Sequence, residues 1–132
     1  MRLNPDCVRD ILISIEQIAD GSTGFSWWRI EDFRSQEEFA SLRAYSVEEV
    51  EYHVYQCKHH GFFIGAQLHS DGGFTVVDLS PTAHEFLANI RTDENWRRTK
   101  SVAQEVGSFS LSTLSGIAAN VIAAIIKQQT GM

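Results

Sequence analysis

Cysteine, proline and positive charge are all scarce in this chain, and each shortage excludes something. Two cysteines, Cys7 and Cys57, among 132 residues are too few for a disulfide framework. Both fall on predicted amphipathic helices, which fits a reducing compartment and gives secretion no support. The start, Met1-Arg2-Leu3-Asn4-Pro5-Asp6, turns acidic at once and lacks the apolar run and small-residue cleavage site of a signal peptide. Two prolines and no low-complexity stretch leave no linker. One domain is therefore expected, with residues 1–80 as its core and 81–132 as a helical extension packed on it. The longest apolar run, near the C-terminus, covers about sixteen residues and is broken by Thr113, Ser115 and Asn120, short of the ~20 that span a bilayer. Against 17 Asp and Glu stand 11 Lys and Arg, a formal charge of −6, and such a field repels phosphate and anionic lipid.

What is present is a series of capped helices. Asn4-Pro5-Asp6 reads as an N-cap, a first-position proline and an acid on the helix dipole. Val8, Ile11, Leu12, Ile15 and Ile18 then follow at helical spacing, so a helix is expected from about Pro5 to Ala19, with Leu3 and Val8 as a hydrophobic staple and Gly21 as the stop. Phe25 to Ile30 is short, aromatic and β-prone; in a regular strand Trp27 and Trp28 point to opposite faces. Ser35 with Glu38 and Ser46 with Glu49 form two capping boxes, opening helices over about Gln36 to Arg43 and Val47 to His60, the latter stopped by Gly61. In that second helix Val47, Val50, Val54 and Cys57 make the inward stripe. Phe62 to Leu68 and Phe74 to Leu79, joined through His69-Ser70-Asp71-Gly72-Gly73, read as a β-hairpin, with Gly65 flanking or interrupting a strand. Ser80-Pro81 starts a helix to about Arg91 with Phe86, Leu87 and Ile90 inward. Asp93 caps another over about Glu94 to Val106, which carries Trp96, Val102 and Val106 at near-helical spacing and stops at Gly107, and a last helix spans about Leu111 to Gln128.

Helix, short strand, two helices about a turn, then a hairpin is the element order of a winged-helix domain, with Val47 to His60 as the recognition helix and the hairpin as the wing. The fold class expected is α+β: a winged helix-turn-helix core followed by three helices.

Several segments in fixed order carry a resemblance. They are Leu3-Asn4-Pro5-Asp6-Cys7-Val8-Arg9-Asp10-Ile11-Leu12; Tyr52-His53; Leu79-Ser80-Pro81 with His84-Glu85-Phe86-Leu87-Ala88-Asn89-Ile90-Arg91; Trp96 with Thr99-Lys100; and Val106-Gly107-Ser108-Phe109-Ser110-Leu111. Together they resemble the phage and prophage family called domain of unknown function 2513 over nearly the whole chain. The resemblance implies a small intracellular protein of phage or prophage origin with a winged-helix core, and it carries over no catalytic residue. Ala83 departs from the glycine common at this winged-helix corner; the third helix position needs no left-handed backbone, so the corner can still form.

The location of the charges bears on function. Residues 1–80 hold 13 acids and 6 bases, whereas residues 81–132 hold 4 acids and 5 bases. Duplex binding rests on Lys and Arg that neutralise phosphate, yet the expected recognition helix opens with Glu48, Glu49 and Glu51, has Lys58 as its one cation besides histidine, and leads to a wing tip without Lys or Arg. Its outward residues Glu48, Glu51, Tyr52, Tyr55, Lys58 and His59 suit a protein partner, tyrosine offering contact area with a polar handle; a plain solvated face is the alternative. A second alternative is a dimeric DNA-binding regulator that uses Tyr52, Gln56 and Lys58 in the groove and Arg97, Arg98 and Lys100 on phosphates.

His53, Cys57 and His60 lie at a spacing that can present three ligands to zinc, but Cys57 is expected in the core and no second cluster supplies a fourth. A Cys57 nucleophile needs an exposed thiol in electropositive surroundings, the reverse of an acidic helix. No glycine-rich phosphate loop follows a strand. The expectation is therefore a protein without metal, cofactor or catalysis, cytoplasmic in a bacterial host and not bound to membranes. It would dock on a host or phage protein to regulate or inhibit it, as in countering host defence. The broad apolar face of the last helix, including Leu114, Ile117, Val121 and Ile125, suggests a homodimer.

Overall fold

The computed structural model describes residues 1–19, 26–35 and 37–131. It divides into two compact units, Met1–Ala83 and His84–Met132.

The first unit begins with α1 (Pro5–Ile18). Asn4 caps it as expected, its Oδ1 accepting the backbone N–H of Asp6 at 3.0 Å and of Cys7 at 3.4 Å. Cys7, Val8, Ile11, Leu12 and Ile15 are fully buried along one side. The helix ends one residue early, at an extended Ala19; Gly21, expected as the stop, lies outside the described residues. Strand β1 (Ser26–Arg29) follows, with the side chains of Trp27 and Trp28, and hence their expected opposite facing, outside the described set.

The next stretch corrects the sequence reading. A short helix α2 (Ile30–Ser35), which was not expected, precedes a 3₁₀ segment (Glu37–Ala44) kinked at Phe39 (φ −118°, ψ 42°). Ser35 is the last residue of α2 and not the N-cap of a regular helix. Six residues with apolar groups only at Ile30 and Phe33 are too few to show a helical period. Packing forms them instead: Phe33 meets Phe39 at 5.4 Å and, edge-on, Phe74 at 5.2 Å, geometries that aromatic rings prefer.

Helix α3 (Val47–His60) has the expected bounds. Its capping box is complete in both directions, and Gly61 closes it at φ 87° in the left-handed region that glycine enters without strain.

The hairpin comprises β2 (Phe63–Ile64), β3 (Gln67–Leu68), β4 (Gly73–Val76) and β5 (Asp78–Leu79). One register runs through it, Phe63 opposite Leu79 and Leu68 opposite Phe74, with an interruption at Gly65–Ala66. Gly72 at φ 88° makes the tip, and its carbonyl accepts the N–H of Ile30 at 3.0 Å. Strand β1 pairs antiparallel with β4, so the three-stranded sheet has the order β1-β4-β3, with β2 and β5 forming a separate two-stranded pair. At the corner after β5 the Ala83 N–H donates to Ser80 Oγ at 3.2 Å. No described non-glycine residue has positive φ, so alanine is accommodated there without strain.

Helix α4 (Pro81–Asn89) leads into the second unit, where Phe86, Leu87 and Ile90 are buried as expected. Helix α5 (Asp93–Val106) is capped by Thr92, not Asp93: Thr92 Oγ1 accepts the Asn95 N–H at 3.1 Å. Its buried residues are Trp96, Thr99 and Ala103; of the apolar residues at near-helical spacing, Trp96 is buried while Val102 and Val106 are exposed. Trp96 sets the phase because its ring packs edge-on against Phe86 at 6.4 Å, and positions three and seven beyond it then face inward.

Helix α6 (Leu111–Thr130) runs for 20 residues and packs along α5. It is longer than the apolar run in the sequence, and by length and composition alone it is sufficient to cross a membrane, with 17% of the span buried. Only Leu111, Leu114 and Ala118 are buried in it. The structure is thus an α+β protein of helices with small antiparallel sheets.

Candidate functional site

Three contacts hold α3 in place. His53, four residues before Cys57 on the inward stripe, is fully buried. Its Nε2 accepts the backbone N–H of Asn4 at 2.7 Å and its Nδ1 donates to the Glu49 carbonyl at 2.7 Å. That assigns a neutral tautomer by partners alone. The Arg34 guanidinium donates to the carbonyls of Tyr45 and Arg43 across the turn before α3, and the Tyr45 hydroxyl donates to Asp10 Oδ2 at 2.8 Å. Burial, then this bond to Asp10, pushes the Tyr45 hydroxyl above its ordinary range.

With Val50, His53, Val54 and Cys57 inward, positions 48, 51, 52, 55, 58 and 59 share the opposite face at three- and four-residue spacing. Val47, expected inside, is only half-buried. Four of these outward residues, Glu48, Glu51, Tyr52 and Tyr55, line a groove of about 310 Å³, with Leu68 of β3 as a further wall. The Tyr52 ring stands edge-on to His53 at 5.0 Å, and Tyr55 leans on His59 at 4.2 Å. Lys58, half-buried, and His59, exposed, sit one turn further along and do not line the groove, nor does Gln56. Glu51 also borders a second recess of about 160 Å³ with Arg29, Glu31, Val47 and Asp71. The sequence reading missed Leu68 and this recess. Both depend on strand register, which no local pattern encodes.

The residues considered for phosphate divide between the two units. Gln56 belongs to the first unit and Arg97, Arg98 and Lys100 to the second. Arg98 pairs with Glu94 at 2.9 Å, and the Lys100 ammonium lies 5.4 Å over the Trp96 ring. Arg97 is exposed. In the helix expected to dimerise, Leu114 is fully buried and offers no surface to a second copy, whereas Ile117, Val121 and Ile125 are half-buried.

The spacing of His53, Cys57 and His60 does not become a metal site. Both His53 nitrogens are occupied by backbone groups, His60 packs edge-on against Phe62 at 4.7 Å, and Cys57 is fully buried. Among the described residues no three His, Cys, Asp or Glu side chains are grouped to hold a metal ion. Burial raises the Cys57 thiol above its ordinary range. Burial, with Glu49 and Asp10 nearby, raises Cys7 from 9.0 to about 12. In both, burial disfavours the thiolate, the form that acts as a nucleophile.

The anchoring of α3 and the burial of the thiols have measurable consequences. His53→Leu keeps the apolar volume but leaves the Asn4 N–H without its acceptor, and denaturant unfolding should show a loss of about 1–3 kcal/mol; an unchanged midpoint would show the bridge to be dispensable. At pH 8 an aromatic disulfide reagent should leave both thiols untouched in the native protein and react with both in denaturant. Because thiols of the unfolded chain ionise near 9.0 and Cys7 only near about 12, the stability they contribute is complete below pH 9 and falls as pH rises toward 12.

No curated protein and no solved structure matches this chain. The family model described as hypothetical protein (DUF2513) matches it over residues 2–110, from before α1 to the N-cap of α6, and the chain therefore belongs to that family.

Proposed function

We propose that this chain is a winged-helix protein that acts by binding another protein, and that it neither catalyses a reaction nor reads DNA. The order α1, β1, α2 and the 3₁₀ segment, α3, hairpin supports the winged-helix reading, as does a sheet in which β1 joins the hairpin through β4. In such a domain α3 takes the recognition position and the hairpin the wing. In keeping with a phage or prophage role inside a bacterial cell, the partner is a host or phage protein that this chain regulates or inhibits.

One observation carries the proposal: among the described residues the groove at the recognition position is walled by Glu48, Glu51, Tyr52, Tyr55 and Leu68, with no cation among them. Carboxylates there oppose phosphate and attract a basic protein surface, and the tyrosines supply the contact area that interfaces favour. Two of the three cations that the DNA-binding alternative places on phosphate are engaged within their own helix. Capture from host lysate should survive nuclease, and Glu48→Lys with Glu51→Lys should weaken it about tenfold or more. Random duplex DNA should not shift at about 50 mM salt; tight, steeply salt-dependent DNA binding would overturn the proposal in favour of a regulator.

We also propose a homodimer through the half-buried stripe Ile117, Val121 and Ile125 of α6, continued by Ile126, which is 55% exposed. An apolar stripe left open along a helix is covered most simply by its own copy about a two-fold axis. Light scattering at micromolar concentration should give twice the chain mass, and Val121→Glu should return it to one; a monomer mass for the unaltered protein refutes the dimer.

A further inference from the structure

Resting on the protein-binding reading above, we infer that the α3 groove is a receptor for one arginine side chain, presented on an extended or loop segment of the partner. At about 310 Å³ it lies at the lower limit of ligand clefts, about 300–1,000 Å³. That is room for a long side chain and not for a helix.

The lining chemistry selects the side chain. Glu48 and Glu51 stand three residues apart on one face of α3, and among the described residues neither side chain has an ion pair or a hydrogen bond. Glu49 between them is engaged in the capping box. Among the described residues the groove thus presents two adjacent carboxylates that pair with no cation, Glu51 also bordering the recess that holds Arg29. Tyr52 and Tyr55 lie one further turn along the same face, each at i+4 from one of these acids, and Leu68 faces them from β3.

Such walls suit a side chain with an apolar stem and a cationic head. Aromatic faces attract a cation within about 6 Å, and more so when it is partly desolvated. Guanidinium fits better than ammonium, because it is planar, less strongly hydrated, and able to stack on a ring while its N–H groups donate to carboxylates. The second recess carries Arg29 beside its acids, which weakens its draw on a cation and leaves the tyrosine-lined groove as the preferred seat. Lys58, one turn beyond Tyr55, does not line the groove and does not occupy it.

The test is a nitrogen-15 NMR titration of the full chain with a blocked Gly-Gly-Arg-Gly-Gly peptide, against versions carrying lysine or uncharged citrulline in place of arginine. Saturable shifts should centre on residues 48–55 and 68, with arginine binding at least threefold tighter than lysine and citrulline not saturating. Glu51→Gln should weaken the arginine peptide at least fivefold while the rest of the spectrum stays unchanged, which reports an intact fold. Equal binding by citrulline, or arginine shifts spread without saturation over the acidic surface, would overturn the inference. If Glu48→Lys with Glu51→Lys abolishes lysate capture and the arginine peptide still fails to bind, only the arginine assignment falls. If capture is indifferent to those substitutions, the protein-docking reading falls.

Discussion

The buried His53 bridge is the interaction on which the rest of this unit's surface depends. One imidazole accepts the N–H of the residue that caps α1 and donates to a carbonyl one turn back in α3. A buried ring with an unmet nitrogen would be costly, so the bridge fixes the rotation of α3 about its own axis as well as its distance from α1. Once that rotation is set, Val50, Val54 and Cys57 have no choice but the core. Glu48, Glu51, Tyr52 and Tyr55 are then left outside together, and the candidate groove follows from the anchoring of the opposite face.

The same constraint accounts for the burial of the thiols. Cys7 on α1 and Cys57 on α3 both lie fully buried where the two helices pack, and the low-dielectric contact that stabilises the pair also disfavours thiolate. Spacing alone made His53, Cys57 and His60 resemble a metal set. Their neighbours decide otherwise: two are core residues whose polar atoms are satisfied or suppressed, and the third packs against an aromatic ring.

Elements whose signals are local were legible in the sequence. The Asn4 cap, the Ser46 capping box and the Gly61 and Gly107 stops each depend on residues within one turn, and each formed where read. Elements whose cause is remote were not. Helix α2 exists because Phe33 is packed by Phe39 and Phe74, and α5 takes its phase from Trp96 against Phe86 and not from Val102 and Val106. Four of six expected partner residues line the groove because they share a helical face, which periodicity reveals; Leu68 joins them through strand register, which it does not.

The sequence by itself determined the capped starts of α1 and α3, the α+β composition and the concentration of acid in the first 80 residues, because caps, periodicity and charge are properties of neighbours along the chain. Only the tertiary structure decided that His53 joins Val50, Val54 and Cys57 on the buried side of α3 and bridges to Asn4, and that the exposed acids and tyrosines meet a hairpin residue to line a groove. Those outcomes depend on which distant groups satisfy one another's hydrogen bonds and fill one another's volume, and that pairing is settled only when the chain is folded.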